Sequence, residues 1–378
     1  MKRPLGYVTD IVSINLEYIY MSIRYTPDEW ELNRADIKLV SELGKGAFGT
    51  VYSGEAKDVV SECGVSFGLC AVKTTKEREK PLERLHFLRE ADFMKKFRTS
   101  FVVQLYGVVS DGQPALLVME LMERGNLRDH LLARRPHDGA VSGEGHPPSL
   151  QEVLCWAIEI ADGMAYLAAW NFVHMDLAAR NCLVSKEGIV KIGDFGMARD
   201  LEYKDYYRPV GKRMIPFRWM SPEALRDHRF TQASDVWSYG VVLWEMATLG
   251  DKPYQELTTT DEVFTFVVRT KRTMEMPVDC APMLQRLMAE CWRYSPDCRP
   301  SFRDIVFEVL HELRQLECSS RHSRVDVLES MSFCCNTPEP SGSTTLAEEA
   351  VSLLAMPEQH NNLSTKGHYE LSALTMTM

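Results

Sequence analysis

The sequence has no apolar run of the roughly eighteen residues that a membrane-spanning helix needs, so the chain by itself is expected to be soluble and cytosolic. Positive charge is in deficit. Lys and Arg number 43 against 53 Asp and Glu, and the net charge of −10 argues against a nucleic-acid binder. The ten cysteines show no CxxC spacing and no paired pattern, and no signal peptide precedes them, which argues against a cysteine-based metal site and points to a reducing cytosol without disulfides. The adjacent Cys334 and Cys335 read as free thiols in a polar stretch. No internal repeat is evident. What is present is 378 residues, 45% of them apolar, which exceeds one ordinary domain and can build a large core.

Four short patterns then follow one another along the chain. GKGAFGTV carries Gly44, Gly46 and Gly49, a backbone without Cβ atoms that can close over phosphates, and Val51 is placed to pack on a base. A dinucleotide-binding turn would open a helix here, whereas TVYSGEA alternates as a strand does, so the run reads as a hairpin over nucleotide. In CAVK, Lys73 ends a β-type run from Leu69 to Val72. A helix opening near Pro81 would place Phe87, Glu90, Met94 and Phe97 on one face at spacings of three, four and three. A carboxylate on an apolar stripe asks for a cation, and Lys73 supplies it. HMDLAARN, His174 to Asn181, sets an Asp and an Asn at fixed spacing, and DFG follows the strand-like VKIG with Asp194 thirteen residues beyond Asn181.

In this order the patterns resemble a protein kinase domain from about Trp30 to Leu316. The implied fold is α+β and two-lobed, with a β-rich N-lobe carrying one helix and a mainly helical C-lobe. The resemblance implies that ATP and Mg2+ are the cofactors, that Asp176 accepts the proton of the attacking hydroxyl, and that Asn181 and Asp194 hold metal. Lys73, paired with Glu90, would hold the α- and β-phosphates. Met119 would be the gatekeeper behind the adenine, Glu120 to Met122 would offer backbone hydrogen bonds to it, and Ala71 and Leu183 would complete the nucleotide site. AARN resembles tyrosine kinases in particular: Ala178 stands where serine/threonine kinases carry lysine, and the cation moves to Arg180. PFRWMSPE resembles the platform, around Pro216, that cradles a substrate tyrosine, with Ser221 in place of the usual Ala. Glu223 would meet Arg299 as a buried pair, and Asp235 would brace the catalytic-loop backbone.

YTPDEWEL, VMELMERGNL, EIADGMAYL, DFGMARD and DYYR are similar to the insulin receptor family over about three quarters of the chain. That likeness implies protein tyrosine substrates, activation at Tyr203, Tyr206 and Tyr207, and a dimer formed only through a receptor region missing here. Only Lys204 and Asp205 separate Tyr203 from Tyr206, where the family has three residues. It also implies a juxtamembrane segment over 1–29, a kinase domain over 30–318 (N-lobe 30–122, C-lobe 123–318) and a disordered tail over 319–378, on the cytoplasmic side of the plasma membrane. Within the C-lobe, SLQE at Ser149 to Glu152 is a capping box. It should start a helix whose apolar face includes Leu150, Leu154, Ala157, Ala161 and Met164. The Gly- and Pro-rich stretch before it reads as a surface insert between two helices. Tyr18, in YIYM, fits the YxxM pattern read by regulatory subunits of phosphoinositide kinases, which makes it a docking candidate for phosphotyrosine-reading adaptors.

Met175 breaks the family pattern, which has arginine there. That arginine contacts the phosphorylated activation loop and does not touch ATP, so its loss should weaken switching while leaving the chemistry intact, and Arg199 could retain part of the coupling. The alternative is a pseudokinase scaffold that acts through phosphotyrosine docking.

Overall fold

The structure, a computed structural model, describes residues 25–46, 49–60, 66–75, 81–136, 146–201, 206–207 and 215–319. Tyr18, Tyr203 and the tail beyond Ser319 lie outside them, as does most of the Gly- and Pro-rich stretch before Ser149.

The first half is an antiparallel sheet of β1 (Ile37–Gly46), β2 (Gly49–Val60), β3 (Ser66–Thr74), β4 (Leu105–Val109) and β5 (Leu116–Met119), in the order β1-β2-β3-β5-β4. Gly46 pairs with Gly49 at the open end of the first hairpin, as the alternating TVYSGEA implies. Gly49 has φ 149°, and a Cβ there would lie 1.8 Å from the Thr74 carbonyl oxygen, so only glycine fits between β2 and the end of β3. One face of the sheet closes a small core of Ala56, Cys70, Val72, Val109, Leu116 and Val118.

Against the sheet lies α1 (Pro81–Met94), with Pro at its first position, where a missing N–H costs nothing. Phe87, Ala91 and Met94 are buried, and so is Glu90. Phe97 lies beyond the helix end, yet a turn from its N–H to the Met94 carbonyl carries it back into the core.

The second half is helical: α2 (Leu127–Leu132), α3 (Leu150–Ala169), α4 (Pro222–Asp227), α5 (Gln232–Ala247), α6 (Thr260–Phe264), α7 (Pro282–Cys291) and α8 (Phe302–Ser319). Short strand pairs β6 (Phe172–Val173) with β9 (Arg199–Asp200), and β7 (Cys182–Val184) with β8 (Val190–Ile192), frame the loops between α3 and α4. Ser149 and Glu152 form the reciprocal capping box. Leu154, Ala157, Ala161 and Met164 are buried as read, but Leu150, the first helical residue after the Ser149 cap, is exposed. From Val153 to Ala161 every residue is buried, so α3 is a central helix without a polar face.

Ser221, the departure from the family pattern, is fully buried and caps α4 by accepting from the Ala224 N–H. Glu223 of α4 takes two hydrogen bonds from Arg299, at 2.7 and 2.8 Å, and Arg299 also donates to the carbonyls of Ala233 and Arg293. This guanidinium ties α4, the start of α5 and the turn before α8 into one block. Arg299→Ala leaves the Glu223 carboxylate buried and unpaired and is expected to lower the unfolding free energy by about 3 to 5 kcal/mol, measured by urea denaturation; a loss under about 1 kcal/mol would contradict the structural role.

Candidate active site

Between the sheet and the helical half lies a cavity of about 470 Å3. Gly44, Gly49, Val51, Ala71 and Lys73 line it from the sheet, and Met119, Glu120 and Met122 from the segment that leaves β5. Leu183 of β7 lines it from the other side, with Asp176, Arg180, Asn181 and Asp194. Gly44, Gly49, Val51, Ala71, Lys73, Met119, Glu120, Met122 and Leu183, all read from the sequence as nucleotide residues, therefore lie on one cavity, and Gly46 ends β1. Met94, on the helix face with Glu90, lines it too, as do Leu43 and Val103, which carry no sequence signal beyond being apolar.

Lys73 is the electrostatic centre. Its ammonium donates to both Glu90 oxygens at 2.7 and 2.9 Å and to Asp194 Oδ1 at 3.0 Å. Burial opposes the lysine's charge, but the carboxylates of Asp194 and Glu90 outweigh it and push its pKa above the ordinary lysine value. Asp194 responds in the opposite sense: burial favours its neutral form, and Lys73 still holds its pKa below the ordinary carboxylate value. Asp194 adopts φ 56°, a left-handed conformation that costs a non-glycine residue about 1 to 2 kcal/mol and that the bond to Lys73 helps to hold.

The loop opposite is fixed from beneath. Asp235, buried on the first turn of α5, accepts the N–H groups of His174 and Met175 at 2.7 and 2.9 Å. Met175 has φ 65°, and its side chain is only 4% exposed, within the main hydrophobic cluster. His174 is kept neutral, since burial pushes its pKa down to about 4; its Nδ1 accepts the Asp176 N–H, which assigns the proton to Nε2 facing the Gly193 carbonyl. Asp176 pairs with Arg180, while the Asn181 side-chain nitrogen donates to the Asp176 carbonyl at 2.6 Å, leaving the Asn181 oxygen as the atom suited to a cation.

Two contributors escaped sequence reasoning. The Arg180 guanidinium stacks on the Trp219 ring at 4.2 Å. The Trp219 indole N–H donates to Glu245 Oε2 at 3.0 Å, and the same oxygen accepts the Ala179 N–H at 2.9 Å. Glu245 is fully buried in α5, so it fixes both the platform and the loop around Arg180. A carboxylate inside the apolar run VVLWEMA was the available signal, the same one that revealed Glu90.

The residues fit a nucleotide phosphate and a divalent cation. Arg180 Nη1 is buried on the cavity without a hydrogen-bond partner among the described residues, a donor placed for an anion. A Cβ at Gly44 would meet no protein atom within 4 Å, so the space over that glycine is not needed for protein packing. Among the described residues the Glu120 N–H donates to the Gln104 carbonyl and the Met122 carbonyl accepts from the Gly125 N–H, and no other backbone hydrogen bond engages Glu120 or Met122. Asn181 and Asp194 offer one amide and one carboxylate oxygen, a donor set suited to a cation that completes its shell with water and phosphate. Among the described residues, no cluster of three or more His, Cys, Asp or Glu could hold a metal ion, and no helix is long and apolar enough to cross a membrane.

Residues 37–309 match the protein tyrosine and serine/threonine kinase family. The chain is 51% identical over 303 residues to the insulin receptor-related protein of Cavia porcellus, an alignment covering 80% of this chain and 23% of that protein. It is 49% identical to the insulin-like growth factor 1 receptor of Xenopus laevis, over 82% of this chain and 22% of that protein. It is also 49% identical to the insulin receptor of Xenopus laevis, over 80% of this chain and 22% of that protein. The chain thus spans under a quarter of the length of each of these relatives.

Burial pushes the Asp176 carboxyl up to about 6 from an ordinary 3.8, with Arg180 acting against the rise and Asp194 adding to it. Carbon-13 NMR of labelled aspartate in the ligand-free protein is expected to show that midpoint, and Arg180→Gln should raise it further. A midpoint near the ordinary 3.8 would contradict the geometry.

Proposed function

The chain belongs to the protein tyrosine and serine/threonine kinase family and carries a protein tyrosine kinase domain, and on that premise we propose that it transfers the γ-phosphoryl group of ATP to protein tyrosine, its own Tyr206 and Tyr207 included. The observation that carries this reading is the convergence on one cavity of the Lys73, Glu90 and Asp194 ion cluster with Asp176, Arg180 and Asn181.

Lys73, steadied by Glu90, binds the phosphates of ATP, while the Glu120 carbonyl and the Met122 N–H bind the base between Val51, Ala71 and Leu183. Met119 closes the back of the site. Asp176 orients the acceptor hydroxyl: its oxygen bonds to the γ-phosphorus, the bond from that phosphorus to the bridging oxygen breaks, and ADP leaves. The hydroxyl proton passes to the Asp176 carboxylate. Arg180 offsets charge near the transferred group. Asn181 and Asp194 would hold Mg2+, which when bound neutralises charge developing on the phosphates.

By the same likeness the chain sits on the cytoplasmic side of the plasma membrane as part of a receptor, dimerises through a region outside this sequence, and offers phosphorylated Tyr18 to adaptors and to regulatory subunits of phosphoinositide kinases. The competing reading, a scaffold that binds nucleotide poorly, draws on Met175. Met175 occupies a packing position and removes none of the groups that line the cavity.

Incubation of the purified chain with Mg-ATP, followed by phosphopeptide mapping, should place phosphate on Tyr206 and Tyr207. Asp176→Asn should slow that reaction by about 10² to 10⁴. No phosphate in the parent or in Met175→Arg, with folding and nucleotide binding intact, would leave the scaffold. The acceptor proton needs the ionised form of Asp176, so kcat/KM is expected to fall as pH drops through about 6. A profile flat between pH about 5 and about 7 would sink the assignment of Asp176 as base.

A further inference from the structure

One face of α5 meets both the catalytic loop and the platform. Asp235, Ser238 and Glu245 fall on that face by helical spacing. Asp235 holds the backbone of His174 and Met175, and the Ser238 hydroxyl donates to the Trp219 carbonyl at 2.8 Å. Glu245 takes the far end of the same tryptophan, its indole N–H, on the oxygen that also accepts the Ala179 N–H. The helix therefore grips Trp219 at backbone and ring, and a single carboxylate oxygen joins that ring to the loop.

Trp219 closes the turn that carries the platform. Its backbone N–H donates to the Pro216 carbonyl at 2.9 Å, so the proline and the indole belong to one rigid turn. On the other side the Arg180 guanidinium lies 4.2 Å from the ring, and Arg180 pairs with Asp176. Contacts thus run unbroken from Pro216 through Trp219 and Arg180 to Asp176. Glu245 is fully buried, its hydrogen-bond donors among the described residues are neutral N–H groups, and its Oε1 has no partner among them. Burying such an oxygen is unfavourable, and an apolar side chain would fill the helix position without that cost. What the carboxylate adds is an acceptor shared by two segments that an apolar residue would leave unjoined.

We propose that Glu245 is a positioning residue for the acceptor: by clasping Trp219 to Ala179 it fixes the distance from the platform to the Asp176–Arg180 pair, and so decides how well a phenol competes with water for the phosphoryl group. This rests on the kinase reading above and deepens it. The γ-phosphoryl group passes either to the phenol oxygen, giving phosphotyrosine and ADP with the phenol proton taken by Asp176, or to water, giving inorganic phosphate and ADP. Water needs no platform. A phenol on a rigid ring reaches the phosphorus from one depth only, and a displacement of about 1 Å can slow transfer by about a hundredfold. Glu245 acts through Trp219 and Ala179, not on the substrate itself.

The test incubates the full chain with Mg-ATP and a tyrosine peptide and measures phosphotyrosine and inorganic phosphate together. Partial unfolding lowers both products in step, so their ratio reads acceptor placement. Glu245→Ala should lower that ratio about tenfold while KM for ATP stays within about twofold of the parent. Glu245→Gln, whose amide oxygen can accept both N–H groups, should restore most of it. Trp219→Phe, which keeps a ring and loses the indole N–H, should lower it as well. A parent-like ratio in Glu245→Ala or Trp219→Phe, or a ratio in Glu245→Gln as low as in Glu245→Ala, would overturn the proposal. Nitrogen-15 NMR follows the Trp219 indole N–H independently of turnover: its resonance should shift in Glu245→Ala and return in Glu245→Gln, and an unmoved resonance would overturn the clasp. A parent that forms no phosphotyrosine, with that shift present, would instead overturn the kinase reading and leave the clasp standing.

Discussion

A single buried ammonium organises the active half of this molecule. Lys73 stands on β3, Glu90 on α1, 17 residues further on, and Asp194 on the segment after β8, 121 residues from Lys73. Neither carboxylate would remain ionised and buried without the cation, and the cation would not remain charged there without them. The pair and its third member therefore act as a latch: when it is closed, the sheet, the helix and the Asp194 carboxylate are in register around one cavity. Everything proposed for the chemistry presupposes that closure.

A second anchor works from the opposite side. Asp235 and Glu245 lie on α5, one near its start and one near its end, and both spend carboxylate oxygens on backbone N–H groups of the catalytic loop. Burial pushes both carboxyls up to about 7, so each is held against a desolvation cost. The left-handed Met175 survives between them because its N–H is claimed by Asp235 and its side chain is packed into the main core. Rigidity of the loop thus comes from a helix beneath it, while the proposed placement of the phosphates falls to the sheet above.

Sequence alone reached Lys73 and Glu90 because a charge on an apolar stripe is costly enough to announce a partner. It reached the hairpin because strand alternation follows the glycines, and the start of α3 because the capping box is local chemistry. Glu245 carried a comparable signal but went unread: its partners are neutral N–H groups of Ala179 and Trp219, 66 and 26 residues away, and a neutral donor leaves no mark in a charge pattern. Met175 read as a missing cation, whereas the structure shows it as part of a packed core.

The central claim is that an intact set of ionic groups, with methionine at position 175, still performs tyrosine phosphorylation. The direct measurement is single-turnover transfer of labelled γ-phosphate from Mg-ATP to matched peptides bearing either tyrosine or serine. The account predicts label on tyrosine alone, with little transfer by Lys73→Met, which breaks the latch. Saturable nucleotide binding by the parent without label on either peptide would contradict it.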